Sequence, residues 1–225
     1  MIYLRKLVSG YEDLVKAGVR LKCQRSALFR ANGLDKNEKV DLINPSEIFV
    51  LQGLNRGISL YEEEKARYEE EFSKMRRKHK MIQNLCTVMG IGEIGAVKIA
   101  AIVVDPRRFP TKGHFLSYCG LVKLSKISGG KSYGKKNPQY NRTMKSVFKT
   151  AAFAALSSDS FNHFFSYYEN GIKKKGLSNF NARHALARRI ATICWGVLKT
   201  GKKVDLERLK CNSTIEKMDL KDFNL

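Results

Sequence analysis

The residues best suited to chemistry in this 225-residue chain are glycines and cations, not thiols or carboxylates. Gly90, Gly92 and Gly95 punctuate the stretch Val88-Met89-Gly90-Ile91-Gly92-Glu93-Ile94-Gly95-Ala96. Glycine lets a backbone turn tightly, and the start of the helix that follows aims N–H groups at an anion such as phosphate. A helix, Gly-Ile-Gly and a second helix of small residues make the pattern of a helix-hairpin-helix element. The stretch lacks the Gly-Lys-Ser/Thr ending of an ATP-binding loop. It also lacks the preceding strand of a dinucleotide-binding fingerprint. A tight crossing of two helices, permitted by glycine, is the competing reading.

The cations are unevenly placed. Lys and Arg total 42 against 21 Asp and Glu, a formal charge of +21. Residues 106–158 hold eleven basic side chains and no acid, among them Arg107, Arg108, Lys126, Lys131, Lys135, Lys136, Arg142 and Lys145. Residues 170–204 hold nine more, again with no acid, and Lys98 precedes both stretches. A solvated helix face ordinarily mixes both signs, so two stretches without carboxylate describe a surface for a polyanion, nucleic acid first. A generic basic surface is the plain alternative. A membrane-surface helix needs a broad apolar face, and these segments are too rich in Gly, Asn and Ser. No apolar run of about 18 residues occurs, and the first residues lack the pattern of a signal peptide. The expected location is therefore the cytoplasm.

Other reactive types carry less. Five scattered cysteines form no Cys-x-x-Cys pair and read as buried thiols. His79 reads as a tolerated helix-seam residue. Glu62–Glu64 and Glu69–Glu71 share one helix and read as its solvated face, so no metal site is expected in this chain.

The elements that position these residues are helical. Leu4, Leu7, Tyr11, Leu14, Gly18, Leu21, Arg25 and Leu28 alternate spacings of three and four, predicting a helix over residues 3–32. A short helix opens at Asn44-Pro45-Ser46-Glu47, and Ser59-Leu60-Tyr61-Glu62 forms a capping box that starts a longer one. Ile58, Tyr61, Lys65, Tyr68, Phe72, Met75, His79 and Ile82 continue its seam. Residues 1–88 are thus expected to form a long antiparallel, coiled-coil-like helical arm, and 89–225 a compact helical domain. Within that domain Ser125 to Asn141 reads as an exposed loop, with helices at about 142–157 and 181–200 and Trp195 as a core anchor.

The ordered motifs resemble a known family. Met89–Ala96, Arg108-Phe109, Tyr118-Cys119-Gly120-Leu121, Ser128-Gly129-Gly130-Lys131, Asn141-Arg142-Thr143-Met144-Lys145, His184–Ile190 and Trp195-Gly-Val-Leu198 follow in sequence. The chain resembles the C-terminal transposase domain and helical linker of the IS110/IS1111 family of insertion-sequence transposases. Lys123 and Tyr140 depart from the family's usual Pro and Gly. The resemblance implies that Ser128 is the nucleophile of DNA strand cleavage and exchange, forming a phosphoserine link. Lys126, Lys131, Lys135, Lys136 and Arg142 would then surround the developing charge. It further implies a RuvC-like nuclease domain whose four carboxylates hold divalent metal, a domain not recognised in these 225 residues. This predicts little or no activity without such a domain or subunit. The other partners implied are DNA, an element-encoded guide RNA and further copies of the chain. A non-catalytic nucleic-acid-binding module and an oligomerisation subunit, both derived from a transposase, are the alternatives.

Overall fold

The structure, a computed structural model, describes residues 2–33, 44–136, 138–157 and 163–205. It is mainly α-helical, with one two-stranded sheet. The chain divides into two compact units, Met1–Met75 and Arg76–Leu225.

In the first unit, apolar residues at helical spacing produce α1 (Ile2–Ala31) and α2 (Pro45–Lys78), whose first 31 residues lie in this unit. Leu4, Val8 and Tyr11 of α1 are buried, as are Ile58, Tyr61 and Phe72 of α2. The helices run antiparallel: Tyr11 lies edge-on to Phe72 at 5.1 Å, Lys22 pairs with Glu62, and Asn32 Nδ2 donates to Glu47 near the start of α2. At Gly18 the contact is so close that an added Cβ would overlap the Tyr61 ring.

Two expectations fail here. Ser59–Glu62 does not start a helix; α2 runs unbroken from Pro45, because Asn44 already caps its beginning by accepting from the Ser46 N–H at 2.9 Å. His79 is not a seam residue: it is exposed and extended (φ −118°) in the break before α3 (Lys80–Leu85). From there Ile82, Leu85 and Val88 are buried, and α3 packs on elements of the second unit.

The second unit is organised around α8 (Asn179–Thr200). Packed on it are α3, α5 (Lys112–Tyr118), α6 (Arg142–Ser157), α7 (His163–Lys173) and a 3₁₀ turn at Pro106–Arg108. The almost wholly apolar α4 (Glu93–Val103) lies against α3 and α6. Phe115, Phe148, Met144, Leu186 and Ile190 are fully buried, each contributing about 1.5–3 kcal/mol through removal from water. Side-chain caps set helix starts: Thr111 Oγ1 accepts from the His114 N–H, and Asn141 Oδ1 from the Met144 N–H at 2.9 Å. Trp195 is only half-buried, with Lys199 over its ring at 5.6 Å; Ile190, Cys194 and Leu198 anchor α8 instead. Of the cysteines, Cys119 and Cys194 are buried and burial pushes both thiols up, Cys86 is half-buried, and Cys23 is exposed, contrary to expectation. Cys211 lies outside the described residues.

The expected loop after Ser125 is a β-hairpin. β1 (Leu124–Ser128) and β2 (Lys131–Lys136) pair antiparallel, with Ser128 opposite Lys131 and an irregularity in the register at Lys126. Gly129 and Gly130 both take positive φ (54° and 74°), the backbone a two-residue turn between twisted strands requires. Every residue of both strands is exposed.

Candidate nucleic-acid interface

Most of the site residues fall into three groups on the second unit. The first is the glycine turn. Gly90 has φ 85°, and an added Cβ would overlap the Ala151 carbonyl oxygen of α6, so this glycine serves a close backbone crossing. Gly92 begins α4 facing open space and provides no side-chain cap, leaving the first N–H groups of α4 to other acceptors. Gly95 packs in ordinary contact with Val147, and Lys98 is half-buried on the same helix. Glu93 sits in the first turn of α4, paired with Arg76, and already supplies negative charge to that helix end.

The second group is the hairpin. Lys126, Lys131, Lys135 and Lys136 all lie on it in solvent, and Ser128 is its last residue before the turn. No Asp, Glu or His occurs in residues 124–136. Ile127 and Tyr133 are more than three-fifths exposed, apolar surface that a projecting ribbon leaves in water.

The third group lines an open groove of about 380 Å³ along α6, bordered by Tyr140, Lys145, Ser146, Lys149, Thr150 and Phe153. Residues 142, 145, 146, 149, 150 and 153 repeat at helical spacing and therefore share one face. Arg142 and Lys145 belong here, the structure adds Lys149, Tyr140 and Phe153 to the lining, and it sets two residues of α8, Phe180 and Arg183, beside it. The cations sit over rings: Lys145 over Tyr140 at 4.3 Å, Arg183 over Phe153 at 4.8 Å and Lys149 over Phe180 at 5.8 Å. His184 lies parallel to Phe180, interplanar angle 9°. Burial lowers the His184 pKa, and the charges of Arg188, Lys145 and Lys149 lower it further against an opposing hydrogen bond with the Leu121 backbone. The spacing on α6 was visible beforehand; the α8 partners arise from helix packing.

Arg107 and Arg108 stand apart on the 3₁₀ turn. Arg107 donates to Asp105, whose carboxyl is held low by the Arg107 backbone and side-chain N–H groups. Arg108 lies over Phe109 and Tyr118, both at 5.0 Å. The described residues contain no group of three His, Cys, Asp or Glu suited to a metal ion. The dense carboxylates of α2 are matched by cations instead: Arg67 with Glu64, Lys65 with Glu69, Lys74 with Glu70 and Glu71. The family's divalent metal therefore finds no fitting ligand set among them. No helix among the described residues is long and apolar enough to cross a membrane.

What these residues build is a mainly helical domain with an exposed ribbon and a cationic face. Residues 82–169, from α3 into α7, match the model of the transposase IS116/IS110/IS902 family. The chain is 26% identical over 153 residues to the "Insertion element IS110 uncharacterized 43.6 kDa protein" of Streptomyces coelicolor, covering 68% of this chain and 37% of that protein. It is 29% identical over 153 residues to the "Probable family 20 transposase" of Pseudomonas aeruginosa, covering 66% and 44%. A third relative, the "Insertion element IS116 uncharacterized 44.8 kDa protein" of Streptomyces clavuligerus, is 29% identical over 113 residues, covering 49% and 27%. The chain thus spans less than half the length of the curated relatives it matches.

Proposed function

We propose that this transposase domain binds DNA and that Ser128 is the nucleophile of strand cleavage and exchange in the movement of an insertion sequence. The supporting observation is the position of Ser128: exposed, at the tip of a ribbon, beside two glycines and opposite Lys131, with no carboxylate in the hairpin. Its Oγ would attack a backbone phosphorus and displace a deoxyribose oxygen, leaving a phosphoserine link. The hairpin lysines would offset the charge that develops on the phosphoryl oxygens. DNA contacts run through the cations of the ribbon and α6, with the turn at Gly90 to Gly95 as a helix-hairpin-helix contact to the backbone.

Serine needs a base, and residues 124–136 supply none. We assign proton removal and metal chemistry to a RuvC-like nuclease domain or subunit. An element-encoded guide RNA and further copies of the chain complete the assembly. The absence of a base in the hairpin also favours a second reading, a nucleic-acid-binding module without chemistry.

The two are separated by incubating the chain with DNA and a RuvC-like nuclease domain and resolving denaturant-stable protein–DNA adducts. Wild type is expected to form the adduct; Ser128→Ala loses it while keeping duplex affinity. Equal adduct from Ser128→Ala rejects the nucleophile, and no adduct from wild type favours the binding module.

A further inference from the structure

We infer that the groove along α6, with Phe180 and Arg183 of α8 beside it, holds unpaired nucleotides of a single strand by stacking their bases on Phe153 and Phe180. The inference rests on the nucleic-acid reading above and adds a strand type and a second kind of contact. Phe153 is 52% and Phe180 63% exposed. Two large rings left in water on a charged face require an explanation that cations alone do not supply. Duplex phosphates are met by Lys and Arg without aromatic help. Paired bases turn their faces toward one another and offer only edges to the grooves. A ring can lie face to face with a base only when that base is unpaired.

The neighbours fit this occupant. Arg183 and Lys149 lie over the same two rings, so a base stacked there has a cation within reach of its phosphate. Lys145 over Tyr140 repeats the arrangement further along the groove. Lys145 and Lys149 are one helical turn apart, about 6 Å of rise, so successive cations track a backbone running along α6. His184 lies parallel to Phe180 with ring centroids 6.4 Å apart, and Phe180 remains 63% exposed for a base. No acid occurs in residues 142–157 or 179–200, so no carboxylate of these helices repels the strand. An apolar peptide would leave these cations without partners; a nucleic-acid strand uses rings and cations together. The shared chemistry is that of unpaired nucleotides, whether of DNA or RNA.

The test is fluorescence anisotropy on the full chain with labelled oligo-dT, oligo-U and a duplex, each of about twelve nucleotides, a length within reach of one such groove. Wild type is expected to bind at least one single strand, and the tighter of the two names the source. Phe153→Ala/Phe180→Ala should weaken that binding about tenfold or more and change duplex binding less than about threefold. Both side chains are exposed, so the melting temperature serves as a control on folding. Replacing both rings by Tyr should restore single-strand affinity, whereas Leu, apolar but without a π face, should not. Unchanged single-strand affinity in the Ala variant, or full rescue by Leu, overturns the inference. If wild type binds duplex and ignores both single strands, the groove assignment falls and the proposed function stands. If it binds no nucleic acid, both fall.

Discussion

The two units carry lysine and arginine at similar density but use them differently. Residues 1–75 hold 13 of the 42 cations and 12 of the 21 acids, leaving 29 cations and nine acids to residues 76–225. In the first unit the charges close on one another: Lys22 on Glu62, Arg67 on Glu64, Lys74 on Glu70 and Glu71. Lys22 there also lies over Tyr61. In the second, Arg76 and Arg107 also meet carboxylates, but Arg108, Lys145, Lys149, Arg183 and Lys199 lie over aromatic rings. A carboxylate neutralises a cation, whereas a ring holds it in place and leaves its charge uncompensated. The same residue types therefore build a largely charge-paired helical hairpin in one unit and a face richer in uncompensated cations in the other.

Glycine substitutions probe the packing beneath each surface. Gly90→Ala meets both a positive φ and the Ala151 carbonyl oxygen, and should cost about 3 kcal/mol or more in urea unfolding. Gly92→Ala, in open space two residues on, should change stability by less than about 1 kcal/mol; equal costs would deny the tight crossing. Charge removal tests the contrast directly. Replacing Lys126, Lys131, Lys135 and Lys136 with Gln should lower the slope of log affinity for duplex DNA against log salt by about three. An unchanged slope would mean that the ribbon touches no phosphate.

In the first unit Gly18→Ala pushes against the Tyr61 ring. The helix-propensity gain of about 1 kcal/mol should be outweighed, for a net loss of about 1–2 kcal/mol measured by thermal unfolding. The pH response should distinguish the units through His184. Its folded-state pKa lies below the ordinary value, so its contribution is complete above pH about 6.5 and is lost as pH falls through the folded value. The melting temperature of wild type should fall over that range more steeply than that of His184→Gln. The smallest effect belongs to Lys74→Gln, whose exposed pairs with Glu70 and Glu71 should matter by less than about 0.5 kcal/mol.

Much of this arrangement was legible beforehand where one helix carries its own signal. The three-four spacing marked α1, and the start of α6 was readable at Asn141-Arg142. Misreadings arose where a local signal had a competitor. Ser59-x-x-Glu62 has the form of a capping box, but a helix already begun at Asn44 has no free N–H there to cap. Residues 125–136 looked like a loop because their Gly, Ser and Lys obscured a strand pattern; Gly129-Gly130 was the available hairpin signal. His79 fitted the seam by spacing, yet the chain leaves the helix at that residue.

Composition and order alone determined that the molecule is mainly helical and that its charge is segregated. These follow from periodicity and from which residue types are absent, properties a linear chain already has. Tertiary structure decided that Ser128 sits at a ribbon tip, that Gly90 is consumed by a crossing with α6, and that Phe180 and Arg183 join Phe153 and Lys149. Such pairings join residues about 30 positions or more apart, and only the packing of α6 on α8 brings them within reach, because side-chain contacts extend a few ångströms and carry no mark in local sequence.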